Sequence, residues 1–233
     1  GPDEANSWVD ESAGLAFGHR RLSIMDISPA GSQPMISTCG RYVLSYNGEV
    51  YSFHSLRGEL EAKGHKFRGH SDTEVLLAAI AEYGLDATLN KCVGMFAISL
   101  WDKKKKTLSL VRDRLGIKPL YYGWSGGVFM FGSELAALKA HPAFNAEIDH
   151  NVLALYMVRN CVPAPHSIHK GIWKLMPGTI ATLKARAIPG EQPELKKYWS
   201  LSSIAANGTS NPFKGGEKEA SECAEMLIRD AIQ

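Results

Sequence analysis

The apolar run from Gly94 to Trp101 constrains this chain more than any other stretch, because a strand with apolar side chains on both faces must lie between two layers of structure. Hairpin signals surround it. Lys103 to Lys106 read as a solvated turn into a strand from Thr107 to Val111, and Ser125-Gly126-Gly127 as the turn of a second hairpin. Trp8-Val9 and Leu15 to Ile24 flank the polar stretch Asp10 to Gly14 as a third, and Pro177-Gly178 turns into a last strand, Thr179 to Leu183. Helical patterns stand in separate groups. Leu56 and Leu60 follow Ser52 and end at Gly64. Val75, Leu76, Ala79, Ile80 and Tyr83 follow the capping-box pattern Ser71-Asp72-Thr73-Glu74 and end at Gly84. Ser133 stands where it would cap a helix from Glu134 to Ala140, and Asn151 to Arg159 carries Leu153, Tyr156 and Met157 on one side. Hairpin strands and helices in separate groups predict an α+β fold.

Composition narrows the function classes. A formal net charge of +2 over 233 residues gives no basic excess for a nucleic-acid surface. No apolar run reaches membrane-spanning length. Cys39, Cys92, Cys161 and Cys223 stand far apart with no Cys-x-x-Cys pair, and the histidines show no metal-ligand spacing, so neither a zinc site nor a disulfide framework is expected. A reducing cytoplasm fits this cysteine usage.

The chemistry concentrates around Ser45-Tyr46-Asn47-Gly48-Glu49-Val50-Tyr51. Tyr42, Leu44 and Tyr46 alternate as in a strand, and a helical pattern begins after Ser52. Asn47-Gly48 reads either as a tight turn, since both residues tolerate positive φ, or as an oxyanion hole in which a carboxamide and a glycine N–H share one developing negative oxygen.

With His19-Arg20-Arg21-Leu22-Ser23-Ile24-Met25-Asp26 upstream and Gly69-His70-Ser71-Asp72-Thr73-Glu74 downstream, this stretch resembles the glutaminase domain of glutamine-hydrolysing asparagine synthetases, in order from Gly1 to about Gly178. The resemblance implies a four-layer αββα sandwich of the N-terminal-nucleophile hydrolase type, with antiparallel sheets. It implies that Arg21 grips the α-carboxylate of L-glutamine, that Leu22, Ser23, Ile24 and Met25 line the same pocket, that Glu49 and Asp72 bind the α-ammonium, and that Asn47 and Gly48 form the oxyanion hole. The guanidinium fork suits a carboxylate, and a zwitterion needs anions set opposite that cation. The family's nucleophile is an amino-terminal cysteine whose own α-amine, of pKa about 8, moves the proton. Gly1 cannot play that part, so the residues given are expected to be silent alone.

Residues 1–184 are expected to form the glutaminase domain, 185–216 a linker rich in proline, glycine and serine, and 217–233 the first helix of a synthetase domain. No cofactor is expected in the glutaminase domain; ATP, Mg and L-aspartate belong by resemblance to the synthetase domain. An uncovered sheet edge and the apolar face of the last helix make a homodimer possible. Two alternatives follow: amidation of another carboxylate acceptor in polysaccharide or secondary metabolism, and a non-catalytic glutamine-binding module. Arg112-Asp113-Arg114-Leu115-Gly116-Ile117-Lys118-Pro119 resembles a family signature of architectural character.

Overall fold

The computed structural model describes residues 3–22 and 28–232. Its strands and helices, in chain order, are β1 (Glu4–Asp10), β2 (Leu15–Arg21), β3 (Met35–Ile36), β4 (Tyr42–Val50), α1 (Phe53–Ala62), α2 (Asp72–Tyr83), α3 (Leu85–Lys91), β5 (Gly94–Asp102), β6 (Thr107–Arg112), β7 (Tyr121–Ser125), β8 (Val128–Gly132), α4 (Leu135–Lys139), α5 (His150–Arg159), β9 (Ile172–Lys174), β10 (Thr179–Lys184), β11 (Glu194–Lys197), α6 (Leu201–Ser210) and α7 (Glu217–Ile232).

Three antiparallel sheets form, ordered β1-β2, β11-β10-β6-β5-β4-β3 and β8-β7-β9. The pleat of the six-stranded sheet divides its residues between two cores. Leu44, Tyr46, Val50, Phe96, Ile98 and Leu100 meet α1, α2 and α3 through Leu56, Leu60, Val75, Leu76, Ile80 and Leu89. On the opposite face Val43, Ala97, Trp101, Leu108 and Leu110 meet Phe17 of β2 and Tyr122 of β7. A third cluster of Met130, Leu138 and Ile172 packs α4 on the outer face of the small sheet. Helix, sheet, sheet and helix therefore stack as the αββα sandwich, with β5 buried between its middle layers as the run from Gly94 to Trp101 requires.

The Arg112-Asp113 signature holds the end of β6. Asp113 is 1% exposed and its carboxylate accepts the N–H groups of Phe96, Leu115, Ile117 and Lys118. The Arg112 guanidinium donates to the carbonyls of Lys118, Leu175 and Gly116. Ser125-Gly126-Gly127 turns the β7–β8 hairpin with positive φ at both glycines, 55° and 78°.

Several local expectations change. Asn47-Gly48 is no turn, because β4 runs through it to Val50, paired residue by residue with β5 down to Gly94. Glu74 does not close a capping box on Ser71; its carboxylate accepts the N–H groups of Arg68 and Gly69, while Ser71 Oγ accepts that of Thr73. Ser133 does not cap α4, whose N-cap position is Glu134. On α5 the buried residue is Val152, with Tyr156 and Met157 exposed. The first compact unit extends to Trp199, because β11 adds to the sheet edge beside β10 and Tyr198 donates its hydroxyl to the Arg112 carbonyl. The segment expected as a linker thus contributes a strand, and its later part forms α6, capped by Ser200. A second unit, Ser200–Gln233, contains α6 and α7, with Arg229 paired to Glu225 one turn away.

The close approach of β4 and β5 depends on glycine at both sides. A Cβ on Gly48 would collide with the Met95 carbonyl oxygen and stand 2.7 Å from Phe96 Cα. A Cβ on Gly94 would collide with the Glu49 carbonyl oxygen and stand 2.9 Å from Val50 Cα. Both obstacles are backbone and cannot swing aside. Gly94→Ala should lose at least about 2 kcal/mol of stability, whereas Gly18→Ala, with nothing within 4 Å of the new methyl, should gain a few tenths. Urea unfolding of the two variants against the parent measures both.

Candidate active site

Side-chain parity on β4 decides what the site can reach. Tyr42, Leu44, Tyr46 and Val50 lie in the helix-side core and Val43 in the inter-sheet core. Ser45, Asn47 and Glu49 share the parity of Val43 and face the inter-sheet side. There Ser45 Oγ meets His19 Nδ1 of β2 at 3.1 Å, and Asn47 Nδ2 donates to Ser133 Oγ, just after β8, at 3.1 Å.

Backbone parity is equally informative. Tyr42 N donates to Ser37 Oγ, Tyr46 N to Gln33 Oε1 at 2.6 Å, and Val50 N to Asp72 Oδ2 at 3.0 Å. All three lie on the edge of β4 that faces away from β5. Strand N–H groups alternate in direction, so the N–H of Gly48, between Tyr46 and Val50, points to that same edge. β3 covers this edge only opposite Val43 and Leu44. The Gly48 donor and the Asn47 carboxamide are therefore neighbouring donors at a stretch of sheet edge that no strand among the described residues covers, which is the arrangement an oxyanion needs.

The carboxylates differ in their commitments. Asp72, first residue of α2 and 5% exposed, accepts the Tyr46 hydroxyl at 2.7 Å as well as Val50 N, both through Oδ2. Burial and the charge of Asp72 push the Tyr46 phenol far above its usual range, so it stays a donor. Glu49 is half-buried and has no hydrogen-bond or ion-pair partner among the described residues.

Arg21 ends β2 opposite Glu4, with its side chain 11% exposed. Its Nη1 donates to Glu4 Oε2 at 3.4 Å and to the Ser28 carbonyl at 3.0 Å. Ser32 and Asn6 hold the other oxygen of Glu4. The guanidinium lies over Gly31, where a Cβ would collide with Nη2 and stand 3.0 Å from Cζ. Leu22 is exposed, and Ser23, Ile24 and Met25 lie outside the described residues. The structure thus gathers Asn47, Gly48, Glu49 and Asp72 at one end of β4. Arg21 stands on the adjoining β2 and is held by groups other than these four.

Three residues of this neighbourhood were missed in the sequence. His19 lies inside the arginine motif, Gly31 could be found only from the guanidinium above it, and Ser133 carries the signature of a helix cap. Cys92 is 1% exposed and burial pushes its thiol up to about 12, which suits a packing residue and not a nucleophile. Cys39 precedes β4 at its opposite end, about 17 Å of extended strand from Asn47. No cluster of three metal-ligating side chains occurs among the described residues, and no helix among them is long and apolar enough to cross a membrane.

A family model described as a glutamine amidotransferase domain matches residues 1–199. The chain is 38% identical over 206 residues to glutamine-hydrolyzing asparagine synthetase 3 of Bacillus subtilis, covering 87% of this chain and 32% of that protein. It is 41% identical over 184 residues to asparagine synthetase 1 of the same organism, covering 79% of this chain and 28% of the relative. The chain spans about a third of the length of the curated relatives it matches. Among solved structures, glutamine phosphoribosylpyrophosphate amidotransferase from B. subtilis superposes with a TM-score of 0.55 at 20% identity, over 80% of this chain and 35% of the other. That likeness extends to the layered sandwich of helices and antiparallel sheets.

Burial lowers the pKa of His19 below its ordinary 6.5. The unfolded chain therefore takes up this proton first, and the site costs stability as pH falls below about 6.5, with no cost above it. His19→Gln should flatten the fall in melting temperature between about pH 7 and pH 5, which thermal scans across that range would reveal.

Proposed function

Because the chain belongs to the glutamine amidotransferase domain family, we propose that it is the glutamine-hydrolysing part of a glutamine-dependent asparagine synthetase. The observation that carries this reading is the pair of donors, Asn47 and Gly48, at the uncovered edge of β4. Arg21 takes the α-carboxylate of glutamine, displacing the carboxylate of Glu4 from part of its fork. Glu49, which has no ion-pair partner among the described residues, takes the α-ammonium, and Asp72 offers Oδ1 while Oδ2 holds the strand. Leu22, which is exposed, is left to close over the bound substrate.

The nucleophile is an amino-terminal cysteine of the working protein, and neither Cys39 nor Cys92 competes for the role. Its α-amine takes the thiol proton as sulfur bonds to the amide carbon, and the carbonyl oxygen becomes an oxyanion held by Asn47 Nδ2 and Gly48 N–H. The ammonium passes its proton to the leaving nitrogen, and the C–N bond breaks to release ammonia. Water then attacks the thioester and gives a proton to the now neutral amine, the C–S bond breaks as the amine passes that proton to sulfur, and glutamate leaves. Ammonia passes to a synthetase part outside these residues, where aspartate activated by ATP with magnesium is converted to asparagine.

The test is asparagine formation from glutamine, aspartate and ATP by the full-length protein with its native amino terminus. Asparagine with equimolar AMP supports the reading; glutamate without asparagine moves the search to another acceptor; neither product, from folded protein that binds glutamine, favours a binding module. Asn47→Ala should lower kcat for glutamate release by about 10²-fold or more, as removal of an oxyanion donor does. Gly31→Ala should leave the melting temperature nearly unchanged, because the obstacle is the end of a flexible side chain. By moving the guanidinium it should raise KM for glutamine about tenfold, the value of one charge-assisted hydrogen bond. Unchanged KM in that variant would remove Arg21 from the substrate site.

A further inference from the structure

Ser133 occupies a position that the sequence marks for capping, yet its hydroxyl does other work. α4 begins at Leu135 with Glu134 at its N-cap and no side-chain cap bond. Elsewhere this chain uses such hydroxyls as caps: Ser71 Oγ accepts Thr73 N and Ser200 Oγ accepts Ser203 N. Ser133 Oγ instead accepts from Asn47 Nδ2 at 3.1 Å, across 86 residues of sequence and between the two middle layers of the sandwich. The hydroxyl is half-buried, and Gly132, just before it, lets the end of β8 lie against Leu138, where a Cβ would stand 2.9 Å from Cδ1.

An asparagine carboxamide turns about its last torsion in a broad, roughly twofold well, so the direction of its N–H groups is not set by the strand alone. The amide nitrogen carries two hydrogens. With one bound to Ser133 Oγ, the plane of the carboxamide is fixed and the second hydrogen points in one direction. A donor aimed before reaction stabilises the transition state without reorganising in it.

We propose that Ser133 is a positioning residue for glutamine hydrolysis, holding the Asn47 carboxamide so that its second N–H meets the oxyanion. This rests on the reading of Asn47 and Gly48 as the oxyanion hole. Ser133 touches neither substrate nor nucleophile in this assignment, so its effect belongs to kcat and passes through Asn47.

The experiment measures glutamate release from glutamine by the full-length protein with its native amino terminus. Ser133→Ala is expected to lower kcat about tenfold, less than loss of the donor itself, with KM for glutamine within about twofold. Ser133→Thr, which keeps a hydroxyl, should recover most of that loss, and Ser133→Cys, of similar size with a weak acceptor, should resemble the alanine variant. In an Asn47→Ala background, Ser133→Ala should cause no further loss. If the alanine variant fails to fold, the Cys and Thr variants carry the same comparison. Wild-type kcat in the Ala and Cys variants, a rise confined to KM, or losses that multiply fully with Asn47→Ala would each overturn the assignment. If the unsubstituted protein releases no glutamate, the glutaminase reading falls and takes this proposal with it; if it does and Asn47→Ala keeps the unsubstituted kcat, the glutaminase reading stands while the oxyanion assignment and this proposal fall.

Discussion

Everything at the candidate site hangs on the approach of β4 to β5 at Gly48 and Gly94. Each glycine faces a carbonyl oxygen of the opposite strand so closely that no Cβ could be inserted. With that approach the register continues unbroken from Tyr42↔Asp102 to Val50↔Gly94. An unbroken register sends alternate N–H groups to alternate edges, and this is what directs the Gly48 donor to the side that β3 leaves uncovered. A bulge here would shift the parity by one residue. Asn47 and Glu49 would then turn to the helix side, and the open edge would receive a different amide.

The uncovered stretch is bounded by side-chain acceptors that stand in for a strand. Gln33 takes Tyr46 N above it and Asp72 takes Val50 N below it. Backbone donors that would otherwise be lost to a shortened β3 are thereby satisfied, while the one between them stays available. Asp72 also fixes α2 to the sheet, since it is the first residue of that helix and holds the Tyr46 hydroxyl from the layer below. One carboxylate therefore joins helix, strand end and pocket. Removing it would strand two buried donors as well as alter any ligand contact, so the residue cannot serve as a pure probe of binding.

Layering was legible in the sequence because it follows from hydrophobic pattern alone. Gly94 to Trp101 shows no polar alternation since β5 is covered by α-helices on one face and by β2 and β7 on the other. The hairpins at Asp10 to Gly14 and Ser125 to Gly127 were equally plain from turn chemistry. Misreadings arose where a residue with strong local preference is claimed by a distant partner. Asn47-Gly48 has the composition of a turn, but glycine is required there by a neighbouring backbone and not by a change of direction. Ser133 and Glu74 have the composition of caps but bond to Asn47 and to the Arg68 and Gly69 amides. Glu194 to Lys197 is too polar to read as a strand, and pairs because an edge position beside β10 demands no apolar face. Arg21, Asn47, Gly48, Glu49 and Asp72, singled out by the resemblance of the motifs, fall on β2, β4 and α2; their substrate roles belong to the proposed function.

A donor pair in a strand differs from one in a loop in what sets its aim. The Gly48 N–H is fixed by the same ladder that builds the core, so its direction costs no additional ordering. A side-chain donor beside it inherits only the position of its Cβ from that ladder, and its remaining torsions need a second support. The inter-sheet face supplies one, because the layer that covers β5 also brings the end of β8 to Asn47. The sandwich thus does two things with one packing arrangement: burying Phe17, Trp101, Leu110 and Tyr122 between its sheets brings the hydroxyl of one sheet to the carboxamide of the other.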